Sequence, residues 1–363
     1  MPSFLKAPRL TILLLAATFT LFALAGSACS PGAGPGGNGG VVSLQGAGAT
    51  FPNPLYQKWV SEYTKLHPNV RIDYQSIGSG GGIKQIQAQT VDFGASDSPM
   101  KDEDLKAAPG ALLHVPTVLG AVVITYNLEG IAKPLHFSPD VIADIFLGKI
   151  KKWNDTRIKA DNSDANLPAS DITVVHRSDG SGTSAVFTDY LSKVSPEWKE
   201  KVGSGTSPNW PVGIGGKGNE GVTGQVKQTP NTIGYVELAY AVQNKLPVAL
   251  IKNKSGEWVE PSFDAVTAAA AESIATTPEE LRVSITDAAG KTVYPISSYT
   301  YILVYKEQKD AVKGKAMVDF LWWGIHDGEK FARHLNYAPL PEEIIKRAEA
   351  KITSITSAGK PLR

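Results

Sequence analysis

At 363 residues, with 42% hydrophobic and 20% charged residues, the chain is long enough for two ordinary domains or one large one, and it has the composition of a soluble globular protein with a sizeable core. Its formal charge of +1 falls to −1 without residues 1–28, which carry Lys6 and Arg9 and no acid, so bulk electrostatics give no support for a nucleic-acid partner. Cys29 is the single cysteine, which excludes an internal disulfide.

Residues 1–28 read as an export signal: Lys6 and Arg9 form a basic start, positions 10–25 are almost wholly apolar, and Gly26-Ser27-Ala28 offers small residues for cleavage. An apolar run of about 16 residues is short for a permanent membrane span. Cys29, directly after those small residues, resembles a bacterial lipoprotein start in which the cysteine is lipidated. Gly26 departs from the usual lipoprotein box, which carries Leu there. Residues 29–40, rich in Gly and Pro, then form a tether. The expected location is periplasmic or cell-surface, with a lipid anchor at Cys29; simple cleavage and release is the alternative.

Ordered sequence begins at Val41. Positions 41–45 read as a strand leading into Gly46-Ala-Gly-Ala-Thr50-Phe51, and Pro52 and Pro54 suit the first turn of a helix on which Leu55, Tyr56, Trp59, Val60 and Tyr63 recur at helical spacing. Val70, Ile72 and Tyr74 alternate as in a strand and deliver Ile77-Gly-Ser79-Gly-Gly-Gly82, followed by a short helix carrying Ile83 and Ile86. Positions 91–95 form a brief buried strand ending in Ser96-Asp97-Ser98-Pro99, and the acids at 102–104 mark a helix starting near Pro99. Asp97 either caps that helix or, because Ser96 and Ser98 can cap it equally well, serves a ligand.

A second unit is expected from about Pro116. It holds a strand at 121–126, a helix at 140–146, a strand at 172–176, a strand at 233–237 and an Ala-rich helix near 263–275. A strand at 299–305 and two helices rich in Phe320, Leu321, Trp322, Ile344 and Ile345 close the chain, and the alternation implies parallel α/β layers.

The strand at 172–176 feeds Arg177-Ser-Asp179-Gly-Ser181-Gly182-Thr183-Ser184, a glycine loop that opens a helix near residue 183 supported by Val186, Tyr190, Leu191 and Val194. Glycines leave backbone N–H groups uncovered, Ser181, Thr183 and Ser184 add hydroxyl donors, the helix contributes its positive end, and Arg177 brings a forked cation, so the loop is built for an anion. Asp179 either lies on the surface or fixes the guanidinium; the second is favoured, since a ligand-facing arginine needs its orientation held. The same Gly-Ser-Gly-Thr-Ser string recurs at 203–207, but Pro208 and Pro211 prevent a helix there, and it reads as a plain loop.

Nucleotide P-loop, nucleophile-elbow and zinc-helix patterns are missing, so no cofactor and no metal are expected. Gly180 to Ala185 and Gly213 to Gly218 fit dinucleotide glycine patterns, yet the first is hydroxyl-rich and the second has no convincing strand before it.

Taken in order, Gly46-Ala-Gly-Ala-Thr-Phe51, Ile77-Gly-Ser-Gly-Gly-Gly82, Val91-Asp-Phe-Gly-Ala-Ser-Asp97, Asp179-Gly-Ser-Gly-Thr-Ser184 and Gly215-Gly-Lys-Gly-Asn219 resemble the phosphate-binding protein (PstS family) of the bacterial ABC-type phosphate uptake system, over nearly the whole chain from about residue 43. The resemblance implies an α/β, two-lobed periplasmic binding protein fold (type II), each lobe a mixed sheet flanked by helices, joined by two crossing hinge segments. Lobe I would take 41–117 with 295–363, and lobe II 118–294. Carried over by position, the phosphate ligands are Thr50, Phe51 through its backbone N–H, Ser79 and Asp97 on one lobe, and Arg177, Ser181, Gly182 and Thr183 on the other, with Asp179 in support. The implied protein is a monomer and not an enzyme, and its partners are inorganic phosphate and the permease and ATPase subunits of an ABC transporter. Asp97, as a buried carboxylate that only accepts, would admit protonated phosphate and oppose bare sulfate. A binder of another oxyanion such as sulfate or molybdate stands as the alternative, as does an exported phosphatase using Ser181 or Asp97.

Overall fold

The structure, a computed structural model, describes residues 40–131 and 133–363; the expected export signal, Cys29 and all of the tether except Gly40 lie outside the described residues. Eight strands form one mixed sheet: β1 (Val42–Gly48), β2 (Val70–Ser76), β3 (Phe93–Ser96), β4 (Leu112–Asn127), β5 (Thr173–Arg177), β6 (Ile214–Gly216), β7 (Thr232–Glu237) and β8 (Ser297–Tyr305). Their spatial order is β2-β1-β3-β8-β4-β7-β5-β6. β1 is parallel to β2 and β3, and β5 is parallel to β6 and β7. β8 runs antiparallel to both β3 and β4, and β4 antiparallel to β7, so the parallel layering inferred from the strand–helix alternation holds within each half, and the whole sheet is mixed, as the resemblance implies.

β4 is the seam of this sheet. From Leu112 to Ala121 it faces β8, and from Val122 to Asn127 it faces β7. Pro116 lies inside it without ending it: a proline has no N–H for the ladder, and the register shifts there, Thr300 facing Val118 and Tyr301 facing Pro116. The spare residue, Thr117, turns its hydroxyl to the Tyr56 hydroxyl at 2.7 Å and to the Thr300 carbonyl at 3.2 Å.

Helices cover both halves. On the first half lie α1 (Asn53–Leu66), α2 (Ser79–Gln87) and α3 (Asp102–Ala107), which starts three residues later than the expected Pro99 and has no side-chain cap. α4 (Pro139–Phe146), α5 (Gly182–Val194), α6 (Gly218–Gln228), α7 (Leu238–Gln243) and α8 (Phe263–Ser273) follow, and α9 (Ala311–Ile325) and α10 (Glu342–Thr353) end the chain. The last two return to the beginning. Trp59 of α1 packs on Phe320 and Trp323 of α9, and its indole N–H donates to the Gly328 carbonyl at 2.9 Å. A second aromatic group, Phe146, Phe187, Trp210 and Tyr235, fills the space behind β5 and β7.

The glycines opening α2 follow from how closely that helix lies on the sheet. A Cβ on Gly82 would sit 2.6 Å from Gly48 Cα and 2.7 Å from the carbonyl oxygens of Ala47 and Ala95, all backbone atoms that cannot swing away. Helix propensity alone favours Ala over Gly by about 1 kcal/mol, but overpacking against fixed backbone costs roughly 1–3 kcal/mol. Packing therefore wins: Gly82→Ala should lower the thermal midpoint by about 2 °C or more, read by calorimetry, and an unchanged or raised midpoint would contradict this account.

Candidate functional site

Three strand-to-helix turns and one strand-to-loop turn meet at the carboxyl ends of β1, β2, β3 and β5, where glycine lets the backbone come close. All eight residues assigned to the ligand from the resemblance lie buried there, with Ser79, Ser181 and Thr183 wholly inaccessible and Arg177 only 3% exposed. The structure brings Asp97 and Arg177 together: a Cβ on Gly182 would lie 2.5 Å from Asp97 Oδ2 and 2.2 Å from Ser79 Oγ, while Arg177 Nη1 reaches Thr183, the next residue, at 3.5 Å.

Every hydroxyl in the cluster has its acceptor side occupied by protein donors. Asn219 donates to Thr50 Oγ1 from its amide N–H at 3.2 Å and from Nδ2 at 2.7 Å, and from Nδ2 also to Thr183 Oγ1 at 3.1 Å. Ser181 caps α5 by accepting from Ser184 N–H at 3.0 Å, and Ser79 accepts from Asp97 N–H at 3.2 Å. A hydroxyl that already accepts has its proton left to give, and Ser79 turns its own to Asp97 Oδ2 at 3.4 Å. Backbone donors point the same way. The N–H groups of Phe51, Gly182 and Thr183 are buried and meet no acceptor among the described residues, which is uncommon inside a folded chain. The latter two open the first turn of α5, where the macrodipole is positive.

Arg177 is aimed by Asp179, which takes Nε at 2.8 Å and Nη2 at 2.6 Å in a forked pair. Burial works to raise the Asp179 carboxyl, but the hydrogen bond and charge of Arg177, with the Gly218 N–H at 3.0 Å, outweigh it and hold Asp179 below its ordinary value. Asp97 goes the other way. Burial pushes it up to about 7, even though the Thr300 hydroxyl at 2.8 Å, the Arg177 charge and the Ser79 hydroxyl draw it down. The Asp97 carboxyl, the acceptor expected from the sequence, therefore titrates near neutrality.

Several residues of the site are not visible in the local sequence patterns. Asn219 begins α6 at the end of a glycine run whose short strand, β6, lies too far at the sheet's edge to announce itself. Thr300 and Ser298, which holds the Asp97 carbonyl at 3.0 Å, come from β8 some 200 residues away. The second Gly-Ser-Gly-Thr-Ser string is a loop, as read, yet its Thr206 carbonyl accepts from Ser181 N–H at 2.8 Å and so braces the first copy. Outside the cradle, a cavity of about 170 Å³ between Pro99, Val186 and Ser284 touches Asp97 alone among the eight.

A cluster of neutral and cationic donors with one carboxyl, at the carboxyl ends of strands in a mixed sheet seamed by two crossing segments, defines a solute-binding protein for a small oxyanion. Residues 33–323 match the model of a PBP superfamily domain. The chain is 47% identical over 310 residues to the phosphate-binding protein PstS of Xylella fastidiosa (strain 9a5c), covering 85% of this chain and 84% of that protein. It is also 47% identical over 353 residues to PstS of Pasteurella multocida (strain Pm70), covering 96% and 98%. The phosphate-binding protein from Stenotrophomonas maltophilia shares the fold, with a TM-score of 0.66 at 22% identity over 85% of this chain and 93% of that one. The chain belongs to the PstS family of phosphate-binding proteins, and its fold is the type II periplasmic binding protein fold.

One further buried acid lies beneath the cradle. Glu237 accepts from Ala239 N–H at 2.8 Å through Oε2, while its buried Oε1 has no partner. Burial first, with the Asp97 charge adding, raises its carboxyl well above 4.5, against the pull of the Ala239 N–H and the neighbouring Tyr337 hydroxyl. Tyr337 gives its proton to the Phe51 carbonyl at 2.6 Å, so its pull on Glu237 is weak, and an ionised Glu237 would leave a buried charged oxygen unmet at Oε1. A carboxyl raised on folding adds stability that is present in full below its unfolded value near 4.5 and is lost as pH climbs through the folded value. Glu237→Gln, which mimics the neutral acid at every pH, should gain in thermal midpoint relative to the parent between pH 5 and pH 8; an equal gap at both pH values would show that Glu237 stays ionised.

Proposed function

We propose that this protein captures inorganic phosphate between two lobes outside the inner membrane and gives it to the permease of an ABC transporter, catalysing no reaction itself. The observation that carries the reading is the meeting of a single titrating carboxyl, Asp97, with the Asp179-pinned guanidinium of Arg177 and the unpaired N–H groups of Phe51, Gly182 and Thr183. The names of its curated relatives, each a phosphate-binding protein, point to the same ligand. The ligand set proposed is Thr50, Phe51, Ser79, Asp97, Arg177, Ser181, Gly182 and Thr183, with Asp179 as orienter and Asn219 holding the two threonine hydroxyls.

Lobe I takes residues 41–117 and 295–363, and lobe II takes 118–294. The change of partner within β4 between Ala121 and Val122, and the entry of β8 at Ser297, support crossings close to those limits. The mature chain is periplasmic or cell-surface, anchored by a lipid at Cys29, and works as a monomer.

Selectivity follows from the proton. Phosphate near neutrality retains at least one P–OH, which an ionised Asp97 accepts; sulfate has none and leaves two negative oxygens opposed. A buried polar group left unmet costs roughly 1–3 kcal/mol, or about 5- to 150-fold in affinity. Because Asp97 sits at about 7, below that pH it carries a proton it can donate to sulfate, and above it the repulsion sets in. Isothermal titration of the ligand-stripped protein should therefore show phosphate binding at both pH 6 and pH 8.5, and sulfate binding that weakens at least tenfold over the same interval. Asp97→Asn should abolish that step and narrow the preference for phosphate. No heat with phosphate overturns the proposed ligand, and sulfate affinity equal at both pH values removes Asp97 as the discriminator.

A further inference from the structure

We infer that Tyr240, which is not among the ligand residues, is a positioning residue that aims the Phe51 N–H from the opposite side of the cleft and does so only when the cleft is closed. The inference rests on the phosphate reading above. Tyr240 sits on α7, directly after β7, in the half of the sheet built on the far end of β4. The loop it reaches, Thr50-Phe51, follows β1 in the other half. Its buried hydroxyl donates to the Thr50 carbonyl at 2.6 Å and stands 2.9 Å from Glu220 Oε1, which in turn faces the Ser76 hydroxyl at 3.4 Å.

The Thr50 carbonyl and the Phe51 N–H belong to one peptide unit. That unit is trans, so its C=O and N–H point in opposite directions along one plane. A donor that holds the carbonyl on one side fixes the N–H on the other. The Phe51 N–H is one of the three cradle donors that meet no acceptor among the described residues, and polarising its carbonyl strengthens it. The next carbonyl, of Phe51, is held in the same manner by Tyr337 at 2.6 Å, and the peptide that follows has no N–H because residue 52 is proline. Tyr337 therefore steadies the loop without aiming a donor. Tyr240 does both, and because it comes from the opposite half, opening the cleft withdraws it and frees the 50–51 peptide to turn. Glu220 competes for the same phenolic proton, so neutralising it leaves that proton to Thr50.

Tyr240→Phe removes one oxygen and keeps the ring. Titration with phosphate and stopped-flow release should give a dissociation constant about tenfold higher, carried by faster release, with the ligand-free melting temperature unchanged. Glu220→Gln should bind phosphate at least as tightly as the parent. In the phosphate-saturated protein, where folding is assured, the Phe51 amide proton resonance should move upfield in Tyr240→Phe. A parent that binds phosphate alongside a Tyr240→Phe variant with affinity and release within twofold, or with an unmoved Phe51 resonance, overturns this inference alone. A parent that does not bind phosphate overturns the phosphate reading and this inference with it.

Discussion

A pinned cation and a carboxyl, both taken out of water, hold the site together, and each keeps one edge on the protein and leaves one edge toward the cradle. Arg177 gives Nε and Nη2 to Asp179 and turns Nη1 to Thr183; Asp97 takes Thr300 on Oδ1 and leaves Oδ2 toward Ser79 and Gly182. Arg177 could not be buried without the Asp179 carboxylate, because an unpaired charge in the interior costs several kcal/mol, whereas Asp97 meets the same cost by holding its proton up to about 7. Fixing half of each group beforehand means that a ligand meets donors already in place, which lowers the ordering cost of binding.

Charge accounts for the unusual acids around this centre. Asp97 and Asp179 flank one guanidinium, Glu237 lies near Asp97, and an entering anion adds at least one more negative charge. Asp179, with both oxygens on Arg177, stays ionised below its ordinary range. Glu237, with one oxygen unmet, is raised far up, and Asp97 lies between them at about 7. Burial raises all three, and the order follows how far hydrogen bonds and the Arg177 charge offset it: most at Asp179, less at Asp97, and without the arginine at Glu237. Charge also explains why the rest of the cradle is made of hydroxyls and N–H groups: dipoles supply positive potential without another buried ion to balance.

The glycine loops, hydroxyls and Arg177 were legible because their chemistry is local: a short apolar strand, a glycine turn and a helix start lie within about ten residues. Asp179 was legible for the same reason, being two residues from its partner. The contributions of Thr300 and Ser298 were not, since nothing in a β-branched strand at 297–305 tells which residue of β3 it will face until the antiparallel register is known. Nor did the sequence show that β4 runs on through Pro116, because a proline in a central strand ordinarily ends it; a one-residue bulge at Thr117 absorbs the missing donor. Asn219 stood in a quoted motif, but the asparagine's role depends on two threonines 169 and 36 residues away.

Glycine does more at this site than uncover N–H groups. Gly80 N–H donates to the Gly180 carbonyl at 2.9 Å, and a Cβ on either glycine would come within 3.1 Å of the other's Cα. These two loops come from opposite halves of the sheet, so the surface that cradles the anion is also the surface along which the halves touch. A side chain at either position would hold the halves apart even if every ligand-facing donor were kept. The same closeness places Gly182 against Ser79 and Asp97. Completing the cradle and closing the cleft are thus one geometric event. An anion that engages donors from both halves stabilises the closed arrangement by the difference between its affinity for that arrangement and for the open one, and by no more than that.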